Sequence, residues 1–253
     1  MLRFLYSLYS FWMVLLFFLM TPFMLFFFIL CKLLLPYPKQ IVGVYFINRT
    51  FIFFWSVFTG IRYQITGLEN IKNKQTYVCV LNHTNSADMI AAAYGARVFA
   101  KPLVKKSLTL IPFLGQIFSL SCIAVDRSSP EARKKSKENM LSDLKQSISI
   151  LIFPEGTRNR TGKPLKDFFD GAFDIAAEAN LPIMPIVFTN IKNINPRHDL
   201  VFQPETLEIN HLPPIFPTGS DAQAIHLLKE ETFKSMWNFL VEHDDNFKKF
   251  ELL

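Results

Sequence analysis

In this 253-residue sequence, a histidine and an aspartate five positions apart are the first residues whose types suit proton chemistry. Residues 76–81, TYVCVL, form a short β-branched, aromatic and aliphatic run of the kind that makes a buried strand. The run stops at Asn82-His83, polar residues follow, and residues 89–93 begin an apolar helical pattern for which Ser86 or Asp88 would supply the N-cap. His83 therefore falls where a strand ends, and Asp88 in or beside the first turn of the next helix. At that separation the carboxylate can fold back onto the imidazole. By accepting a hydrogen bond from Nδ1–H it selects the tautomer that leaves Nε2 free to take a proton. The spacing alone fits equally a strand-end histidine that only satisfies backbone groups. No metal centre is indicated. Cys79, the soft ligand near His83 in sequence, lies inside an apolar strand, and no further His or Cys is placed to complete a site.

A second apolar run, residues 149–153, ends in Pro154-Glu155-Gly156-Thr157-Arg158 and continues through Asn159-Arg160-Thr161-Gly162. Gly156 permits close backbone approach, and Arg158 offers a planar fork of donors that matches a phosphate bidentately. Glu155 can anchor the loop or orient the arginine, although a structural Glu–Arg pair in a turn would use the same residues. Between the two clusters lie Lys105-Lys106-Ser107, then Ile111-Pro112-Phe113-Leu114-Gly115, and Val125-Asp126-Arg127 closes the next strand. These cations either widen an anion site or are solvated ends of elements. The basic run at 133–137 sits on a mostly polar helical stretch and reads first as a solvated face.

The elements that must position these residues alternate. Strand patterns fall at 63–66, 76–81, 122–125, 149–153, 183–188 and 206–209, and helical patterns at 88–97, 108–120, 130–146 and 171–180, with a C-terminal helix at 222–241. Ser129-Pro130 and Asp170-Gly171 are start signals for two of the helices. Such alternation predicts an α/β fold: a mostly parallel sheet covered by helices on both faces. Sites in such sheets gather beyond the carboxyl ends of the strands, where both polar clusters fall.

Half of the chain is hydrophobic, and about half of its 27 phenylalanines precede Ile61. Residues 11–31 are uncharged, long enough to span a bilayer, and flanked by Arg3, Lys32 and Lys39. No small-residue cleavage site follows, so this is read as a retained segment rather than a signal peptide. Pro22 either kinks one helix or turns a shallow helical hairpin within one leaflet. After the break at Pro36-Tyr37-Pro38 comes a second apolar stretch, 41–61, interrupted by Asn48-Arg49. It suits an interfacial helix or a core helix. The expected organisation is a hydrophobic membrane helix or two-helix anchor over residues 1–61, followed by a catalytic domain over 62–253. The net charge of +6 suits an anionic partner. Nucleic acid finds no supporting zinc-finger, RNP or basic-helix pattern, and the hydrophobic start favours lipid. Three scattered cysteines provide no disulfide framework, which places the globular part in a reducing compartment.

Taken together, NHTNSAD, KKSLTLIPFLGQ through VDR, FPEGTRNRTG and LPIMP, in that order, resemble the four-block pattern of the glycerolipid acyltransferases. Within that superfamily they are most similar to the 1-acyl-sn-glycerol-3-phosphate acyltransferases of the PlsC type, over roughly residues 63–189. The resemblance implies a membrane enzyme that acylates the sn-2 hydroxyl of lysophosphatidate from acyl carrier protein or acyl-CoA, giving phosphatidate for phospholipid synthesis. It implies no cofactor beyond that co-substrate. His83 would be the general base, polarised by Asp88. Arg158 with Glu155, Gly156 and Thr157 would form the phosphate-binding loop, Lys105 and Arg127 being further candidates for phosphate or oxyanion contacts. Pro182 and Pro185 would bracket a strand near the acyl path, or simply shape a strand edge. The catalytic domain would face the cytoplasm, from the inner membrane in a bacterium. Another acceptor, such as glycerol 3-phosphate or a different lysophospholipid, is the nearest alternative. A lipid-ester hydrolase using His83–Asp88 or Ser86 is a further one. One departure stands out: the family often has a lysine before the glycine of the block after FPEGTR. Here Phe169-Asp170 precede Gly171, leaving Lys166 as a substitute.

Overall fold

The computed structural model describes residues 2–85, 87–126, 128–195 and 201–253. Two long helices come first, α1 (Leu2–Leu34) and α2 (Lys39–Thr59). They are followed by β1 (Arg62–Thr66), β2 (Val78–Leu81), α3 (Asp88–Gly95) and β3 (Ala100–Lys105). Next come α4 (Leu114–Ser121), β4 (Ile123–Val125), α5 (Pro130–Lys145) and β5 (Ser149–Ile152). The chain closes with α6 (Gly171–Ala179), β6 (Ile183–Thr189), β7 (Thr206–His211) and α7 (Ala222–His243).

The strands form one seven-stranded sheet in the order β1-β7-β6-β2-β5-β3-β4. Every neighbouring pair is parallel except β6 with β7, so β1 and β7 run against the other five. Side chains alternate across the strands and divide the interior into two layers. In and just before β2, Val78 and Val80 face one side, with Met140 and Leu144 of α5, Phe173 and Ala176 of α6, and Met236 and Leu240 of α7. Tyr77, Cys79 and Leu81 face the other, with Ala91 and Ala92 of α3, Met13 of α1 and Trp55 of α2. Both faces are thus covered by helices, as the alternating pattern requires.

Three departures from the sequence reading have clear causes. Strand β3 is absent from the sequence pattern because AKPLVK carries two lysines and a proline and shows no period-two alternation. It is made by tertiary pairing: its first half pairs with β5 and its second half with β4, Pro102 being the last residue on β5. The expected helix at 108–120 is broken. A 3-10 turn, Lys106–Leu110, is followed by α4 only after Pro112, which disfavours helical geometry in the residue before it. Asp88 does not act as the N-cap of α3. Ala87 occupies the N-cap position without a side-chain cap, and the Asp88 carboxylate turns back toward the preceding loop. Ser86 lies outside the described residues. Ser129 does cap α5, accepting from the Ala132 amide at 3.1 Å, whereas Asp170 is drawn into an ion pair with Lys229.

The apolar start folds back on itself, but not at Pro22. Helix α1 continues through that proline, and the turn falls at Pro36-Tyr37-Pro38. Gly43 lets α1 and α2 approach closely, since a β-carbon there would lie 2.6 Å from Cys31 Sγ. The hairpin is tied to the rest of the chain at both ends. Ser10 Oγ accepts from the Phe202 amide at 2.7 Å, and Tyr37 Oη donates to the buried Asp143, which also pairs with Lys101 at 2.8 Å. Both helices are long and apolar enough to cross a membrane by length and composition. Yet their inner faces are part of the core beside the sheet, while Phe11, Phe23 and Phe26 of α1 and Phe54 and Phe58 of α2 remain exposed.

Candidate active site

Strands β2 and β5 are neighbours in register, Val80 opposite Ile152, so the loops that leave them emerge side by side. The His83 loop is held from several directions. Asn82, which is buried, extends the sheet by exchanging hydrogen bonds with Phe188: its Oδ1 accepts from the amide at 2.8 Å and its Nδ2 donates to the carbonyl at 3.0 Å. His83 Nδ1 lies 2.7 Å from Asp88 Oδ2. The same oxygen accepts from the Thr84 and Asn85 amides at 2.6 and 2.9 Å, so a single carboxylate orders the loop and the imidazole together. Asp88 is fully buried. Burial pushes its pKa above the usual carboxylate value, and the contacts with His83 and the two amides pull against that shift. With Nδ1 turned to Asp88, Nε2 is the basic nitrogen left over. The Phe153 ring lies 4.5 Å from the imidazole, tilted by 30°, and restricts its orientation from the second loop.

Glu155 joins the two loops. Its Oε1 accepts from the His83 amide at 2.7 Å and its Oε2 from the Lys166 amide at 3.0 Å. This residue is fully buried, and desolvation raises its pKa to about 7 against the opposing pull of those amides. Both Glu155 oxygens are thus turned to backbone amides, and the residue anchors the His83 loop without lining the groove beside it. Asn159 completes the clamp, its amide donating to the His83 carbonyl at 2.6 Å. Gly156 has φ 69°, a conformation that few residues other than glycine adopt, and it turns the chain sharply between Glu155 and Arg158.

His83, Gly156 and Lys105 line one cavity of about 790 Å³ at the carboxyl ends of β2, β5 and β3. Lys106 and Asp126 lie on its wall, paired at 2.8 Å; this contact and the Ser128 hydroxyl hold Asp126 well below the usual carboxylate range. Lys105 is exposed there. Thr157 and Arg158 follow Gly156 on the outer side of the loop, both exposed, and Arg158 is not part of the cavity lining. Lys166 Nζ donates to Thr157 Oγ1 at 2.7 Å, tying this lysine to the loop. Arg127 lies outside the described residues. Met89 and Phe118 are shared with a second, apolar cavity enclosed by α2, α3, α4 and the sheet, lined also by Val44, Trp55, Ala92 and Leu151. No cluster of His, Cys, Asp and Glu able to hold a metal occurs among the described residues. Of the residues that matter here, Asn82, Asn85, Phe153 and Asn159 were not singled out from the sequence. Each sits inside one of the two motifs, but its role depends on a partner distant in sequence.

The acyltransferase family model matches residues 62–189, about half of the chain and the stretch that contains both loops. This chain belongs to the acyltransferase family. An uncharacterized acyltransferase of Schizosaccharomyces pombe is 31% identical over 220 residues, covering 83% of this chain and 75% of the relative. The 1-acyl-sn-glycerol-3-phosphate acyltransferase of Limnanthes douglasii is 32% identical, covering 62% of this acyltransferase and 55% of the plant protein. The human alpha form is 29% identical, covering 70% and 63%. The match thus spans less than two thirds of the length of these two relatives. In fold, the chain is similar to the 1-acyl-sn-glycerophosphate acyltransferase PlsC of Thermotoga maritima. The TM-score is 0.71 at 20% identity, covering 92% of this chain and 94% of that one.

Proposed function

We propose that this acyltransferase moves an acyl group from a thioester, acyl-ACP or acyl-CoA, to the sn-2 hydroxyl of lysophosphatidate, forming phosphatidate. The observation that carries the reading is the buried Asp88 bonded to His83 Nδ1, beside a groove that combines a cation with an apolar extension. Among the described residues no serine or cysteine is hydrogen-bonded to His83, which suits a reaction whose acceptor supplies the nucleophile. The acceptor hydroxyl attacks the thioester carbonyl carbon as its proton passes to His83 Nε2. The tetrahedral intermediate collapses, the carbon–sulfur bond breaks, and the departing thiolate takes the proton from the imidazolium. Asp88 stabilises that imidazolium without itself being protonated. Lys105 on the groove wall offers positive charge to the acceptor phosphate or to the developing oxyanion. Arg158 closes on the phosphate from the adjoining loop, and the acyl chain enters the apolar cavity past Met89 and Phe118.

The exposed face of α1 and α2 is read as the surface that meets the membrane. A hairpin bonded to the domain at Ser10 and at Tyr37 lies along it rather than projecting away, which suits insertion into one leaflet. The three free cysteines and a thioester co-substrate suit a catalytic domain on the cytoplasmic side. Purified protein in detergent, given labelled acyl thioester and a panel of acceptors, tests the reading. Lysophosphatidate is expected to be acylated well above glycerol 3-phosphate or neutral lysolipids. Preference for another acceptor, or release of free fatty acid without any acceptor, would overturn it.

A further inference from the structure

A second cationic cluster lies at the edge of the sheet away from His83. Helix α3 begins at Asp88, beside the catalytic groove, and ends at Gly95. The chain then passes Arg97 and Phe99 to reach the amino end of β3, which runs parallel to β5. There Arg97 Cζ lies 5.0 Å from the centroid of the Tyr94 ring, and Arg49 Cζ of α2 lies 5.5 Å from the same centroid. Arg49 also sits 5.4 Å from the Tyr45 ring and donates to Tyr45 Oη at 2.9 Å. Neither arginine takes part in an ion pair with a carboxylate among the described residues. Arg97 Nε is buried with no hydrogen-bond partner, and so is the hydroxyl of Tyr63, whose ring lies 4.5 Å from Tyr94. Arg97 adopts φ 56°, an uncommon conformation for a residue with a β-carbon.

Two guanidinium groups around one ring repel each other, and aromatic faces offset only part of that cost. The guanidinium fork of each matches the oxygens of a phosphate group, and Arg97 keeps one donor without a partner. The surroundings decide which phosphate. Phe99 packs its ring 5.0 Å from Tyr45 and 6.1 Å from Phe46. Phe46, Phe53 and Phe99 are 56, 49 and 43% exposed, so the cations stand at the rim of an exposed apolar surface. Tyr45 and Asn48 also line the apolar cavity, whose other members Met89 and Phe118 border the groove.

We propose that Arg49 and Arg97 form a headgroup site for an anionic bilayer phospholipid. They bind its phosphodiester, whose charge is not offset by a headgroup ammonium as it is in phosphatidylcholine, while its chains lie over Phe46, Phe53 and Phe99. The inference rests on the membrane-facing reading of the helical hairpin and adds a charge-selective contact remote from the catalytic histidine.

The test is partitioning of the full chain onto phosphatidylcholine vesicles with and without phosphatidylglycerol. Wild type is expected to favour the anionic vesicles. Arg49→Gln and Arg97→Gln should each reduce that preference by about five-fold, as expected for a basic side chain at a charged bilayer surface. Binding to neutral vesicles and acyl transfer in detergent should stay at the wild-type level, which also shows that the variants fold. Arg49→Lys and Arg97→Lys should recover only part of the preference, because a point charge cannot make the bidentate contact. Lys134→Gln with Lys135→Gln removes equal charge from α5 on the other face of the sheet and should leave it unchanged. If this control loses as much as the arginine pair, a diffuse field is responsible and the site is refuted. An unchanged preference in the Arg49→Gln/Arg97→Gln protein refutes it as well. Abolition of the preference by modest inorganic phosphate would identify a free-anion site and overturn the lipid assignment. Absence of acyl transfer in wild type would remove the enzymatic reading and leave the vesicle result standing.

Discussion

The loops after β2 and β5 stand side by side and are built to opposite specifications. The first is held at several points: Asp88 Oδ2 accepts from three donors, the His83 amide is held by Glu155, and the His83 carbonyl is held by Asn159. The second is held at its base, where Glu155 and Asn159 are buried, and open to solvent at its tip, where Thr157 and Arg158 are exposed. Proton transfer tolerates little error in distance or tautomer, and in the proposed reaction His83 would be set in place before substrate arrives. Capture of a phosphate by a long cationic side chain tolerates much more. The arginine can be ordered by the ligand itself, at a cost in rotamer freedom on binding. In the proposed reaction, pre-organisation falls where geometry controls the chemistry.

That contrast can be broken most decisively at His83. His83→Ala is expected to lower turnover by about 10²–10⁴-fold with folding retained, the usual contribution of a positioned base. Near-normal turnover in a folded variant would remove His83 from the mechanism. Asp88→Asn should also be strongly impaired, because an amide cannot hold both the tautomer and the loop amides in the same way. At the exposed tip the effect should be smaller and of another kind. Arg158→Ala should lower kcat/KM by roughly ten- to a hundred-fold, the range for one charged hydrogen-bonding contact. Arg158→Lys should recover only part. Because the tip is exposed, the slow hydrolysis of thioester by water should be spared. A parallel fall in hydrolysis would mean that Arg158 supports the loop, and the contrast between the two would disappear.

The shared anchor sharpens the comparison through pH. The Glu155 pKa is raised from 4.5 to about 7, so the folded state favours its protonated form. A carboxyl raised in this way contributes stability that is fully present below pH 4.5 and is lost as the pH climbs through about 7. Thermal melts of wild type should therefore decline across that window relative to Glu155→Gln, whose amide does not titrate. Identical pH profiles would show that the amide donors from His83 and Lys166 outweigh burial. The smallest effect on chemistry is expected in the hairpin. Phe23→Ser and Phe26→Ser lie on the exposed face of α1 and should weaken vesicle binding while leaving acyl transfer in detergent unchanged. Trp55→Ala, on the inner face of α2, should instead cost about 3–5 kcal/mol of stability, as expected for emptying a buried aromatic site. Equal behaviour of the two faces in both measurements would argue against a membrane-facing side.

Part of this protein can be read from local pattern alone. Short apolar runs ending in polar residues place His83 and Arg158 beyond strand ends, because a chain leaving a buried strand must expose groups that satisfy its backbone. The proximity of His83 to Asp88 follows from a five-residue separation and needs no distant partner. The two apolar helices are equally plain, since their composition leaves few alternatives to burial or lipid contact. Their turn is less so: Pro22 is a local signal to break, yet α1 runs through it and packs against the sheet and α2. Tertiary structure alone decided what depends on partners far apart in sequence. Strand β3 exists because β5 and β4 lie ready to pair with it, although its lysines and proline argue against a strand. Glu155 looked like a member of an anion loop and became a buried bracket between Lys166 and His83, a role set by amides eleven and seventy-two residues away. The apolar cavity has walls from α2, α3, α4 and β5, and Tyr94 gathers Arg49 of α2 and Arg97 of the segment after α3, with two strands and a helix between them in the chain. Sequence pattern reports which face of an element is apolar, while the assembly of those faces decides which polar groups meet.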